Sequence, residues 1–272
     1  MVYILSMKLA IPRLTRTISV TGRECAINCA HCGKHYLHFM ESPDEVTRRG
    51  PRQYRSALVS GGMNDRHWVP VEKHIDLLVT LKRWGWRLNF HTGLIPEDIS
   101  HALVGLADVI SFDFVADDET IEEVYGVKAR GSDYQRTLHM LSGLFTVVPH
   151  VTLGLRGGRI SGEMKALDAL VELAPAKIVF LVFRPTKGTG YESCAPPPLS
   201  GVDDLFSYGR SLFPHTEFSL GCMRPGKDYG FELEQMALKY RFNTVVMPSW
   251  AFIRLLDEKG IPADIQEECC AL

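Results

Sequence analysis

The sequence predicts an α/β fold: a closed (βα)8 TIM-type parallel barrel in a single unit. Three observations lead there. Strand-like and helix-like segments alternate almost to the end of the 272 residues, and eight strand–helix units close most simply into a parallel barrel. The length suits one barrel of this kind. Ile178 to Phe183 is an unbroken apolar run, as expected of a strand covered on both faces. Pro196-Pro197-Pro198 is too short for a linker and reads as a surface loop. The barrel is therefore expected over residues 1–260, with residues 261–272 as a C-terminal tail.

Each element carries its own signal. Arg16 to Gly22 alternates polar and β-branched residues, with Ile18 and Val20 on one face, and Gly22 opens a loop. The second strand, Ala57 to Ser60, ends in Gly61-Gly62. His74, Leu77, Leu78 and Leu81 recur at helical spacing and give one buried face. Arg87 to His91 is the third strand, and Pro96 to Leu106 reads as a helix with Pro near its start. Val109 to Phe114 is strand four; Leu138, Leu141 and Phe145 mark the helix after it. Val151 to Gly154 is strand five, followed by a helix with Leu167, Leu170 and Val171. The apolar run is strand six. Phe218 to Leu220 and Thr244 to Met247 supply strands seven and eight, with helices near Phe231 to Tyr240 and Trp250 to Leu256.

Composition bounds the function. A net charge of −2 predicts no nucleic-acid footprint. No apolar run reaches the ~18 residues that suggest a membrane span. Met1 to Leu14 is mildly apolar but lacks a basic start and a small-residue cleavage site, so it is not expected to be a signal peptide. Seven cysteines, three of them clustered, suit a reducing cytoplasm better than a disulfide scaffold.

The cluster is Cys25-Ala26-Ile27-Asn28-Cys29-Ala30-His31-Cys32, spaced C-x3-C-x2-C. Three thiols on one loop are one ligand short of a closed zinc site, whose cysteines usually come in C-x2-C pairs. An iron–sulfur cube also takes thiolates, and three of them leave one iron open to a small molecule. This spacing, straight after a first strand, resembles the radical S-adenosylmethionine (SAM) superfamily. His31 stands where that family usually has an aromatic residue. The resemblance implies a barrel of the radical SAM kind and a SAM-binding 4Fe-4S cluster on Cys25, Cys29 and Cys32. It also implies that SAM binds the open iron and is split into methionine and a 5′-deoxyadenosyl radical. A zinc loop, or cysteines that merely pack, are the other readings of these residues.

In a parallel barrel, chemistry gathers at the C-terminal ends of the strands. Gly61 and Gly62, which end strand two, let a ligand approach the backbone. They resemble the Gly-Gly-Glu motif that meets the amino group of SAM, with Met63 in place of Glu. Ser111 and Asp113 end strand four on one face, where a carboxylate can accept from both ribose hydroxyls. They look like the ribose-binding Asn-x-Asp of biotin synthase, with Ser for Asn. Gly154 and Gly157 resemble the glycine motif that borders the adenine, and Arg130 is a candidate for the SAM carboxylate. A turn, a solvated strand end and a surface arginine are the plainer readings. His91 ends strand three and is expected to face the barrel mouth, as a hydrogen-bonded core histidine rather than a catalytic one.

The late strands extend the resemblance. Phe183 to Gly190, Gly221 to Pro225 and Asn243 to Pro248 have the order and spacing of the biotin synthase and lipoyl synthase branch. Arg184 and Arg224 would then lie in the mouth, placed to bind a substrate carboxylate or orient a second cluster. Cys194 and Cys222 follow strands six and seven, and Cys269 and Cys270 sit on the tail, which is expected to fold over the mouth. These four are candidate ligands of an auxiliary iron–sulfur cluster; four unrelated thiols are the alternative. The branch implies a radical SAM enzyme that inserts sulfur at an unactivated C–H bond. The archaeal two-component lipoyl synthases resemble this chain in particular, which would bring an octanoylated carrier protein, a companion radical SAM subunit and a reducing donor such as ferredoxin. A radical SAM enzyme of another reaction type, such as a rearrangement or cofactor-building step, stays open. So does a non-enzymatic iron–sulfur electron carrier.

Overall fold

The computed structural model describes residues 6–272; residues 1–5, the start of the mildly apolar Met1–Leu14 stretch, lie outside the described residues. Ten strands form one parallel sheet that curls into a barrel. They are β1 (Met7–Ala10), β2 (Thr15–Ser19), β3 (Ser56–Ser60), β4 (Arg87–His91), β5 (Val109–Asp113), β6 (Val147–Leu153), β7 (Lys177–Val182), β8 (Glu217–Leu220), β9 (Thr244–Val246) and β10 (Ala263–Gln266). From β2 to β9 each strand pairs with the next in sequence. All eight expected strands are among them.

The sheet differs from the expectation at its seam. β1 inserts beside β9, and β10 pairs with β1 on its other side. No ladder joins β10 to β2. The gap is bridged instead by Leu14 N–H donating to the Glu267 carbonyl at 2.8 Å and by Cys269 N–H donating to Thr15 Oγ1 at 2.9 Å. The outer edge of β2 is covered by Glu41, whose backbone exchanges bonds with Thr17 and Ser19.

Helices cover the outside: α1 (Pro43–Arg49), α2 (Ile75–Arg83), α3 (Glu97–Ser100), α4 (Asp118–Thr120), α5 (Gly131–Leu144), α6 (Glu163–Leu170), α7 (Leu199–Leu212), α8 (Lys227–Lys239) and α9 (Trp250–Glu258). α1 starts at a capping box in which Ser42 and Glu45 satisfy each other's backbone N–H. The expected Pro96–Leu106 helix is shorter. After α3 the chain tightens into a 3-10 turn, His101–Leu103, and stops before Gly105 at φ +80°. α7 was not anticipated, although Val202, Leu205, Phe206 and Gly209 bury one face at helical spacing. The helix–sheet core is rich in aromatics: Phe180–Phe218 and Phe206–Phe242 have ring centroids 4.9 and 4.7 Å apart, each pair adding roughly 0.5–1.5 kcal/mol beyond burial. Among the described residues no helix is long and apolar enough to cross a membrane.

The tail does not fold over the mouth. It turns into the barrel at the opposite end. Thr15, Arg87 and Lys177 are each the first residue of a strand, and each holds it: Thr15 through Cys269 N–H, Arg87 through Glu268 at 2.6 Å and the Leu272 carbonyl at 3.1 Å, and Lys177 through the Cys270 carbonyl at 2.9 Å. Cys270 and Ala271 pack with Val109, Val148 and Val179 as an apolar floor. Above that floor the inward positions turn polar, with Asn89, Ser111, Asp113 and His150 on successive strands.

Candidate functional site

The cysteine loop is stitched to the end of β3. Thr21 Oγ1 donates to the Glu24 carbonyl at 2.8 Å and accepts from Gly62 N–H at 2.7 Å, and Ala26 N–H donates to the Met63 carbonyl at 2.8 Å. Gly62 is needed for space: a Cβ there would stand 1.9 Å from the Glu24 carbonyl oxygen and 2.5 Å from Cys25 Cβ. On its far side the loop is pinned by Ala30, which donates to the Val124 carbonyl at 2.7 Å and accepts from Tyr191 N–H at 3.0 Å. Cys29 closes a turn by accepting from Cys32 and Gly33 N–H.

Cys25, Cys29 and Cys32 line one cavity of about 1000 Å³, counting the open space at its mouth. Gly61, Gly62, Ser111 and Asp113 line it too. So does His91, which is not simply a core residue. Sequence reasoning missed Tyr125, Tyr134, Thr152, Leu155, Leu181 and Met223. Tyr125 is delivered by a π-type turn over Ile121–Tyr125, a local feature with no spacing signal. Its ring meets His31 edge-on at 5.9 Å and stacks on Tyr134 at 6.3 Å.

Electrostatics separate the two sides of the cavity. Burial, then the neighbouring Cys32 and Cys25, push the Cys29 thiol up to about 12. Burial pulls His31 down to about 4. Across the cavity, burial would raise the Asp113 carboxyl, but His91, with help from His150 and His31, holds it down to about 2. Burial would lower His91, and Asp113 more than reverses that. The His91 Nδ1–Asp113 Oδ2 distance is 3.4 Å. The sign for stability follows. The Asp contribution is present above about pH 4 and lost as pH falls toward 2. The His contribution is full below about pH 6.5 and lost as pH rises through its raised value, so the pair stabilises most between about pH 4 and 6.5. His150 is lowered to about 4 by burial and by His91.

Other expected residues stand elsewhere. Arg130 is exposed at the start of α5 and does not line the cavity. Gly154 and Gly157 also lie outside the lining, at φ +68° and +61°. A Cβ on Gly154 would meet Pro197 at 2.8 Å, and one on Gly157 would meet Cys194 Sγ at 3.2 Å. Cys194 therefore sits on this outer loop beside Tyr191. Cys222 is close enough to Cys269 for their charges to interact. Cys269 Sγ accepts from Asn89 Nδ2 at 3.5 Å and packs against the apolar cluster that contains Cys270 and Leu181. The four auxiliary candidates are thus not brought together as one set.

Arg184 is exposed. Arg224 is not free in the mouth. It is buried, paired with Glu234 at 2.9 Å, and donates to the carbonyls of Gly221 and Val246 at 2.6 Å and of Met247 at 3.1 Å. Glu234 also accepts from Ser249 N–H and Oγ. Arg224 is a strap across the ends of β8 and β9. Removing one partner of such a buried pair costs about 3–5 kcal/mol. Arg224→Leu should therefore lower the urea midpoint strongly, whereas Arg184→Leu should leave it nearly unchanged.

Among the described residues, no three His, Cys, Asp or Glu side chains converge to hold a single metal ion. A four-iron cube does not require that, because its thiolates bind separate irons. Three thiols on one face of a cavity fit such a cube, and the buried Nδ1 of His31 beside them has no partner among the described residues.

No family model matches the chain, and no curated protein matches it in sequence. Solved structures do match in fold. Methylornithine synthase (PylB) is 13% identical, with a TM-score of 0.67 over 95% of this chain and 83% of that one. The FeFe-hydrogenase maturase HydG from Carboxydothermus hydrogenoformans is 12% identical, with a TM-score of 0.65 over 95% of this chain and 68% of that one. SuiB from Streptococcus suis, bound to S-adenosylmethionine, is 12% identical, with a TM-score of 0.58 over 87% of this chain and 58% of that one. A barrel of another kind, the HMG-CoA lyase from Brucella melitensis, also matches, with a TM-score of 0.55 at 11% identity over 96% of this chain and 92% of that one. Fold likeness alone does not choose a reaction. The chain shares its barrel fold with PylB, HydG and SuiB.

Proposed function

We propose that this chain is a radical SAM enzyme that cleaves SAM in the cavity between the cysteine loop and Asp113. One observation carries this reading: three thiols and a carboxylate held anionic line the same cavity at the C-terminal end of a parallel barrel. Cys25, Cys29 and Cys32 would hold a 4Fe-4S cluster, which supplies the electron and an open iron for SAM. The chain's residues do the rest. Asp113 accepts hydrogen bonds from the ribose. Gly61 and Gly62 bring the β3 backbone close to the amino acid end. Tyr125, Leu155 and Met223 wall the space and limit water. A low-potential donor such as a ferredoxin would reduce the cluster. Anaerobic reconstitution with iron counting and a SAM-cleavage assay tests the reading. An electron carrier that binds iron but leaves SAM intact would replace it.

Asp113→Ala should weaken SAM binding about tenfold or more, since charge-assisted hydrogen bonds are worth about 1.5–3 kcal/mol each. Calorimetry on the folded variant checks this, and unchanged affinity removes Asp113 from the site.

For the reaction class we infer sulfur insertion at an unactivated C–H bond, as in lipoyl formation on an octanoylated carrier protein with a companion subunit. It is supported by Cys269, which packs against the apolar cluster that contains the lining residue Leu181, and by Cys222 near it. A sulfur held there would stand close to a substrate radical. A rearrangement or cofactor-building step is favoured instead by the separate position of Cys194. Labelled sulfide decides. Under sulfur insertion, protein lacking Cys25, Cys29 and Cys32 still binds iron and sulfide at Cys269 and Cys222, and product from labelled wild type carries the label. Product sulfur that is unlabelled rules out the cluster as its source and leaves that cluster structural, and a product without added sulfur leaves the rearrangement reading.

A further inference from the structure

We propose that His91 is a positioning residue for SAM: it fixes the Asp113 carboxylate so that one oxygen stays free for the ribose diol. This rests on the ribose reading of Asp113 above, and goes beyond it by assigning what orients that carboxylate.

The ladder sets the geometry. His91 on β4 pairs in register with Ser111 on β5, and Asp113 stands two residues further on, on the same face. His91 Nδ1 lies 3.4 Å from Asp113 Oδ2. The other polar neighbours are engaged elsewhere. Ser111 Oγ donates to Asn89 Oδ1 at 2.9 Å, and Asn89 Nδ2 donates to Cys269. His150 pairs in register with Asp113 on β6, but its Nδ1–H donates to the Val148 carbonyl at 3.1 Å. The His150 ring instead leans on His91, centroids 5.3 Å apart and planes tilted by 50°. That contact limits how the His91 ring turns. Among the described residues, His91 is therefore the one side chain that grips the Asp113 carboxylate.

Chemically this is a preorganised acceptor. A free aspartate at a strand end samples several rotamers, and binding a diol would have to freeze them. Held through Oδ2, the carboxylate keeps Oδ1 for a ligand in the cavity that both residues line.

Binding of adenosine and of dideoxyadenosine, which lacks the ribose diol, is measured by calorimetry on the reconstituted protein. Wild type should prefer adenosine by about tenfold. His91→Leu should lose most of that preference. His91→Asn, whose amide nitrogen stands near the lost Nδ1, should restore it. In an Asp113→Asn background, His91→Leu should have no further effect. If Asp113→Asn removes the preference but His91→Leu keeps it, the positioning role is overturned and the ribose reading stands. If His91→Leu weakens both ligands equally, its role is structural and the proposal fails. If wild type shows no preference, the ribose reading itself falls and takes the positioning role with it.

Discussion

Cys29→Ala is expected to leave the reconstituted protein without iron at the SAM site and without 5′-deoxyadenosine formation. Cys29 is the middle of the three thiols and the one most burdened by its surroundings. Burial and the two neighbouring thiols push it up to about 12, so the loop resists carrying three thiolates by itself. A metal must displace those protons, and its charge must offset the burial. With one thiol gone, two ligands remain for a cube that needs three from the protein. Iron should fall by about four per chain, leaving only what Cys269 and Cys222 hold, and SAM cleavage should be lost. Cys25→Ala and Cys32→Ala should behave alike. The same variants of Cys194, on the outer loop beside Gly157, should keep iron at the SAM site. A zinc loop would instead hold zinc and never cleave SAM. Normal cleavage by Cys29→Ala with its cluster intact would sink the assignment.

What could be read from sequence was what is local. Strand β7 declared itself as an unbroken apolar run, and β2 by its alternation of polar and β-branched residues up to Gly22. The cysteine loop stood out as a candidate by its C-x3-C-x2-C spacing straight after a strand. Ser111 and Asp113 were paired correctly because residues two apart share a strand face. The misses have physical causes. β10 is largely exposed, with Ala263, Asp264 and Ile265 facing solvent, so it has no apolar stripe to find. α7 was hidden by Gly201 and Gly209 and by the prolines before it. Tail direction is fixed by Arg87 and Lys177, 181 and 93 residues away from their partners Glu268 and Cys270, and no local pattern encodes that. Arg224 shows the same limit: an arginine after a strand looks the same in sequence whether it greets a ligand or braces two strand ends. Burial and four accepting or pairing atoms are visible only in three dimensions.

Gly62→Ala separates two meanings of the glycine pair at the end of β3. One meaning is ligand approach: the backbone is bare so that SAM can reach it. The other is loop seating: the cysteine loop packs where a side chain would be. The structure makes the second a quantitative matter. An added methyl at position 62 would overlap the Glu24 carbonyl oxygen at 1.9 Å and Cys25 Cβ at 2.5 Å, neither of which is the tip of a flexible side chain. Gly62 has no positive φ, so the conflict is one of space, not backbone conformation. Overpacking of this kind costs about 1–3 kcal/mol, and the least costly relief is to lift Cys25 off β3, breaking the Thr21–Glu24 and Ala26–Met63 contacts. Gly62→Ala should therefore fold, with normal circular dichroism, yet retain far less iron than wild type. Gly61→Ala should be milder, because its Cβ would meet Thr21 Oγ1 at 3.0 Å and Val69 Cγ1 at 3.2 Å, side-chain atoms that can move. If Gly62→Ala instead keeps full iron and loses only SAM affinity, ligand approach is the dominant role and loop seating is refuted.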